Sequence, residues 1–209
     1  MMVVPPVRAR VVLALLVLSS LTSCAALVRP NFETELSRLR PGEYTLDPRH
    51  SFLVFKISHL ELSTYVGRFN EFQAELTFDP DDIDATSLQG LVELGSVDTG
   101  DAEVDSLLME AGWFDTTQFP QGKFSTTNVT STGTDQIAIT GDLTLRGITR
   151  SVQLSGQFNG GADNLLTRRY TLGFSATGVF NRSDFGIDKL ASLVGDEEQL
   201  EVFAEFLKN

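Results

Sequence analysis

Among its 209 residues the chain has one cysteine, one tryptophan and two histidines. A single thiol, Cys24, cannot form an internal disulfide, so the fold must hold without cross-links. Basic groups are scarce as well: 16 against 28 acidic, a formal net charge of −12. That balance argues against a nucleic-acid partner and against electrostatic adhesion to anionic lipid heads. Long apolar runs are missing too. Val11 to Leu18 is an unbroken apolar stretch, well short of the roughly 20 residues a spanning helix needs.

That stretch has another reading. Arg8 and Arg10 precede it and small residues follow, the order of an export signal; a buried N-terminal helix is the alternative. Leu21-Thr22-Ser23-Cys24 resembles a bacterial lipobox, in which the cysteine becomes the acylated first residue of the mature chain. Each buried CH₂ of an acyl chain contributes about 0.8 kcal/mol, so more than one long chain gives a stable anchor. Cleavage near Ala25 or Ala26, with release of a soluble protein, is the competing outcome. Residues 1–23 are thus expected to be a lipoprotein signal and 24–42 a tether ended by Pro41-Gly42. Within the tether Phe32, Leu36 and Leu39 have helical spacing. Residues 43–209 would form one domain. Loss of the two signal arginines leaves 14 basic and 28 acidic groups, a net of −14. Attachment to a membrane would then depend on Cys24 acylation.

From Tyr44 onward the residues alternate. Phe72, Ala74, Leu76 and Phe78 share one parity; so do Leu88, Gly90, Val92 and Leu94. Ile137, Ile139, Gly141, Leu143 and Leu145 follow, then Val152, Leu154, Gly156 and Phe158, then Tyr170, Leu172, Phe174 and Ala176, and finally Leu200, Val202, Ala204 and Phe206. Such alternation predicts antiparallel strands with one wet face. Phe69 falls out of step with Phe72, which predicts a bulge near Asn70. Asn159 to Thr167 is expected to be a loop. One segment has helical spacing: Val104, Leu107, Leu108 and Ala111, with Asp101 to cap it and Gly112 to end it. About eight strands suit a barrel or a sandwich, and closure would remove exposed edges.

HSFLVFKISH (residues 50–59) is apolar on both parities. Leu53, Phe55 and Ile57 are expected to face inward, Phe52 and Val54 to pack outside, and Lys56 to reach solvent. Phenylalanine, with 15 copies, dominates the aromatics. Unlike Tyr or Trp it brings no polar atom needing a partner when buried. An eight-stranded barrel either fills itself or holds one ligand. Inward glycines at Gly90, Gly141 and Gly156 thin the lining and favour a hollow, though bulges also use glycine. An ordinary packed core stays open at this point.

Several motifs in order are similar to the YceI-like family. They are Tyr44-Thr45-Leu46-Asp47, His50-Ser51, Phe55, Ile57 and His59; Gly67-Arg68-Phe69; Phe78-Asp79-Pro80; Phe114-Asp115, Phe119-Pro120 and Phe124-Ser125; Gly141 to Leu154; and Asn181 to Gly186. The resemblance implies an all-β fold: an extended, eight-stranded antiparallel lipocalin-like barrel with one amphipathic helix, over Ala102 to Ala111. It also implies a non-enzymatic role, binding a polyisoprenoid or similar long-chain lipid in a hydrophobic tunnel, in a periplasmic or secreted setting. The lipobox is a departure that would make this chain a membrane-anchored lipoprotein of a bacterial envelope. Tunnel-lining candidates are Leu53, Phe55, Ile57, His59, Phe72, Leu76, Val92, Leu143, Leu154, Phe174 and Phe185. The lipid is the expected occupant, and no other cofactor is required. A structural barrel with a filled core, or a lipid-modifying enzyme, are the alternative readings.

Other chemistries find little support. His50 and His59 lie about 30 Å apart along an extended strand, at ~3.3 Å per residue, and on opposite faces. They cannot share one metal ion unless the strand folds back. Asp184-Phe185-Gly186 lacks every other kinase element. There is no G-x-S-x-G. The acidic DPDDID run (79–84) lacks the glycine and terminal glutamate of an EF-hand.

Overall fold

The computed structural model describes residues 32–209. The signal, Cys24 and the first part of the tether lie outside the described residues. Eleven strands and one helix follow in order. They are β1 (Gly42–Leu46), β2 (Phe52–His59), β3 (Ser63–Phe69), β4 (Phe72–Phe78), β5 (Ser87–Glu93), β6 (Val97–Asp98), α1 (Ala102–Met109), β7 (Gln121–Ser131), β8 (Gln136–Leu145), β9 (Ile148–Asn164), β10 (Arg169–Asn181) and β11 (Val194–Lys208). All pairings are antiparallel.

Three bent strands reduce eleven segments to eight. β11 pairs with β2 through Val194–Phe203 and with β1 through Phe206–Lys208 on the same edge. β1 and β2 are therefore one strand with a kink. β3 and β4 form a second, and β5 with β6 a third. The ring then closes as β1/β2, β3/β4, β5/β6, β7, β8, β9, β10, β11 and back to β1. A closed ring leaves few unpaired edges.

The kinks have local causes. Between β1 and β2 lies Asp47-Pro48-Arg49-His50-Ser51. Asp47 Oδ1 accepts from the Arg49 amide, and Asp47 Oδ2 lies 2.9 Å from His50 Nδ1. The Asp47 amide donates to the Glu205 carbonyl, and the Glu205 amide donates to Ser51 Oγ. The Asp47 carboxylate holds the His50 imidazole above its usual range. Asp47, His50 and Glu205 each place a ligand atom within 4.8 Å of the others. His50 is largely exposed there, as a clasp on the bend. Between β3 and β4 the change of parity occurs at Asn70-Glu71, where the Asn70 amide bonds the Ser96 carbonyl. The structure shows a strand break between paired segments there.

α1 is capped by Asp101, whose carboxylate accepts from the Glu103 and Val104 amides. An N-cap of this kind stabilises a helix by about 1 kcal/mol. The helix covers the end of the barrel where β2, β8 and β10 finish and β7, β9 and β11 begin.

Three expectations need correction. Asn159–Asn164 is the end of β9, and the turn is confined to 165–168. Its glycines serve close approach instead of a loop: a Cβ on Gly161 would lie 2.5 Å from the Tyr170 hydroxyl and 2.9 Å from Leu39. The tether straps this overhang, with Glu33 bridging Gly161 and Arg40 forming a two-bonded ion pair with Asp163. The helical spacing at 32–39 gives only a single 3₁₀ turn, Leu36–Arg38. Lys56 does not end in open solvent; its ammonium lies 2.7 Å from Glu201 on the neighbouring strand. β7 was not among the strands readable from alternation, because Gly122 and Thr126 interrupt its inward face and its register shifts between Thr126 and Asn128.

Candidate ligand-binding site

Two buried clusters line the barrel interior and leave space unfilled. One buried cluster gathers Tyr44, Leu46, Leu76, Phe78, Phe158, Leu172 and Phe206. The other, beneath α1, gathers Phe55, Phe69, Leu94, Trp113, Phe114, Phe185 and Ile187. Between them lies a cavity of about 230 Å³. A second, of about 190 Å³, lies between the barrel end and α1. Phe55, Phe114 and Glu198 line both, so they form the partition.

Inward parity places most of the sequence candidates on these walls. Leu53, Phe55, Phe72, Leu76, Val92, Leu143, Leu154 and Phe174 line the first cavity. Ile57 and His59 line the second, with Phe55 shared. Phe185 lines neither. It is fully enclosed and stacks edge-on against Phe180, with centroids 5.5 Å apart; it is packing under the helix end. His59 contacts Tyr65 edge-on at 6.4 Å. His50 is at the far bend, so the two histidines do not meet.

The glycines divide. A Cβ on Gly90 would find nothing closer than 3.9 Å, so this position leaves free space in the first cavity. At Gly141 a Cβ would run into the Phe124 ring, and at Gly156 it would lie 2.7 Å from Ile137. Those two glycines make room for neighbouring side chains. Only Gly90 of the three thins the wall in the sense expected.

The outer face of β2 is less covered than expected. Phe52 is 51 % exposed and pairs across the strands with Phe203, itself 46 % exposed. Phe55, by contrast, is 4 % exposed.

Two functional features escaped the sequence reading. Arg182 is 2 % exposed and spends its guanidinium on four backbone carbonyls: Gly195, Ile187, Lys189 and Val194. It thereby holds the irregular stretch of β11, where the register shifts between Val194 and Glu198. It also lies 5.4 Å over the Trp113 ring. Glu198 is the second. It shares the inward parity of Leu200, Val202, Ala204 and Phe206, yet carries a carboxyl. Burial pushes that carboxyl up to about 7, against a smaller opposing pull from the Arg182 charge. Among the described residues no cation lies within 4.0 Å of it, and none donates it a hydrogen bond. The signal was available, since an acidic residue on a barrel's inner parity conflicts with its apolar neighbours.

A closed eight-stranded antiparallel barrel with an apolar hollow belongs to the lipocalin-like class of ligand-enclosing folds. Within that class, the YceI-like domain model matches residues 44–206, and the chain belongs to this family. Among curated relatives it is 37 % identical to Protein YceI of Shigella flexneri over 148 residues, covering 70 % of this chain and 76 % of that one. Burkholderia cenocepacia BcnA has the same fold, with a TM-score of 0.70 at 24 % identity over 77 % of this chain and 98 % of that one. A polyisoprenoid binding domain from Saccharophagus degradans, implicated in plant cell wall breakdown, aligns with a TM-score of 0.57 at 16 % identity, over 81 % and 100 % of the two chains.

Proposed function

We propose that this protein binds a polyisoprenoid or similar long-chain apolar lipid inside the barrel, for carriage, storage or protection at a bacterial envelope. The observation that carries this reading is the unfilled, Phe- and Leu-lined hollow within a closed sheet. A solid core would have been the signature of a purely structural barrel. The polyisoprenoid binding named for the Saccharophagus domain agrees with it.

The volumes bound the ligand. A 150 Å³ apolar cavity takes one benzene. On that scale cavities of about 230 and 190 Å³ hold roughly 17 carbon atoms together. At about 0.8 kcal/mol per CH₂ these would gain ~13 kcal/mol on burial, against roughly 4–15 kcal/mol lost on association. The gain exceeds all but the upper end of that cost, so a preformed hollow favours binding, and a longer chain must displace the partition or extend beyond the two cavities.

Trp113, the only tryptophan, lines the second cavity and gives a direct readout. Titration of the delipidated protein with polyprenols should shift its emission saturably. No change in emission, with no co-purifying lipid, would return the filled-barrel reading. Turnover of a lipid that is lost on His59→Ala would favour the enzyme reading instead.

We further propose that Cys24 is acylated and holds the mature barrel, through residues 24–42, at the membrane where such lipids reside. Cys24→Ser should move the protein from the membrane to the soluble fraction. Retention on membranes after that substitution would reject the anchor.

A further inference from the structure

We infer that Glu198 is a recognition point for the head of the ligand, and that this head is uncharged and carries a hydroxyl or carbonyl oxygen. The inference rests on the lipid-binding reading and specifies its polar end.

Three observations support it. First is position: Glu198 stands on the inner face of β11, opposite Ile57 of β2 and Phe180 of β10, and borders both cavities. Second is the absence of any partner from the described residues, although the residue is 8 % exposed. A buried polar group without a hydrogen bond is costly. Arg182, the nearest candidate, is already committed to four carbonyls. Third, the Glu198 carboxyl oxygens stay accessible to the cavity they border, whereas the unpartnered Trp113 Nε1 is sealed off from it. A plain hydrocarbon would leave the carboxyl unmatched. A hydroxyl can donate to or accept from the Glu198 carboxyl, and a carbonyl can accept from its protonated form.

Charge selects among heads. Arg182 lines the second cavity, but its guanidinium is committed to four backbone carbonyls. A phosphate would bring its negative charge beside a carboxyl in an apolar enclosure, where like charges repel strongly. An alcohol or carbonyl brings none. The lipid's tail would then lie in the first cavity, between Phe55 and Leu76, with its head beneath α1.

The test compares three ligands of one chain length on delipidated protein: an isoprenoid alcohol, the corresponding saturated or unsaturated hydrocarbon, and the prenyl monophosphate. A chain of about 15 carbons fits within the two cavities. The expected order is alcohol tighter than hydrocarbon by about tenfold, as one net hydrogen bond provides, and phosphate no tighter than hydrocarbon. Glu198→Leu should abolish the preference for alcohol by tightening hydrocarbon binding and weakening alcohol binding. Glu198→Gln, which retains a donor and an acceptor in the same shape, should keep most of the preference. Thermal melts of the variants check folding, and Glu198→Ala, which removes the carboxyl without adding bulk and should also lose the preference, carries the test if the Leu variant fails to fold. Equal affinity of wild type for alcohol and hydrocarbon would overturn the head-group assignment and leave lipid binding standing. Tightest binding of the phosphate would overturn it as well. Failure of all three ligands to bind would overturn lipid binding itself.

Discussion

Filling the hollow from one side should weaken lipid binding without harming the fold. Gly90 is the place to do it, because an added Cβ there meets no atom closer than 3.9 Å. Leucine at position 90 adds four carbons. At roughly 25 Å³ per carbon, from one benzene in 150 Å³, it would occupy about 100 Å³ of the 230 Å³ cavity. Displacing four ligand carbons at ~0.8 kcal/mol each costs the complex about 3 kcal/mol, or roughly 100-fold in Kd. The free protein should gain. Void volume destabilises by about 24 cal/mol per Å³, so filling 100 Å³ gives up to ~2 kcal/mol, and Tm should rise by roughly 4–8 °C. Polyprenol titration followed by Trp113 emission, beside thermal melts of delipidated protein, measures both. Gly141→Leu is the contrasting control: its side chain would strike Phe124, and the variant should be strongly destabilised. Wild-type affinity in Gly90→Leu, with the fold intact, would refute the placement of the ligand in this cavity.

Glu198 predicts an unusual pH dependence. Its carboxyl, ordinarily near 4.5, is raised to about 7 in the folded chain by burial. The folded state thus holds a proton that the unfolded state releases, so stability is greatest below about 4.5 and falls as pH rises toward about 7. The full loss is about 3 kcal/mol. Glu198→Gln should flatten the urea-unfolding stability across this window; an unchanged slope would show that another group is responsible. Arg182→Lys leaves several buried carbonyls on the β10–β11 side without donors, at about 1–3 kcal/mol for each group orphaned. Its Tm should fall by roughly 6–12 °C for a loss near 3 kcal/mol, and a drop of under 2 °C would show those carbonyls find water instead.

The barrel was largely legible in the chain because one face of each strand is wet. Where outside polarity alternates with inside Phe, Leu and Val, as in Phe72–Phe78 and Val152–Phe158, period two identifies both the strand and its inner side. Where the inner face needs small residues, the pattern disappears. Gly122 and Thr126 hide β7, and Gly160-Gly161 mimic a loop because backbone must pass close to Tyr170 and Leu39. The kinks between β1 and β2 and between β3 and β4 depend on contacts with Glu205 and Ser96, distant in sequence. For the site, parity found the walls and Phe55 of the partition, but not Phe114 or Glu198. Phe185 has the right chemistry and sits in a motif, yet faces packed side chains. Glu198 follows Glu197 in an acidic stretch that reads as surface, and only its register with Leu200 to Phe206 places it indoors.

The most direct measurement is native mass spectrometry of the protein purified from its own cells, without detergent exchange. The account expects a mass excess that gentle activation removes as an isoprenoid-class lipid, and whose amount falls sharply in Gly90→Leu. Protein emerging repeatedly at its bare polypeptide mass, and taking up no polyprenol when offered it, would contradict a ligand-holding barrel.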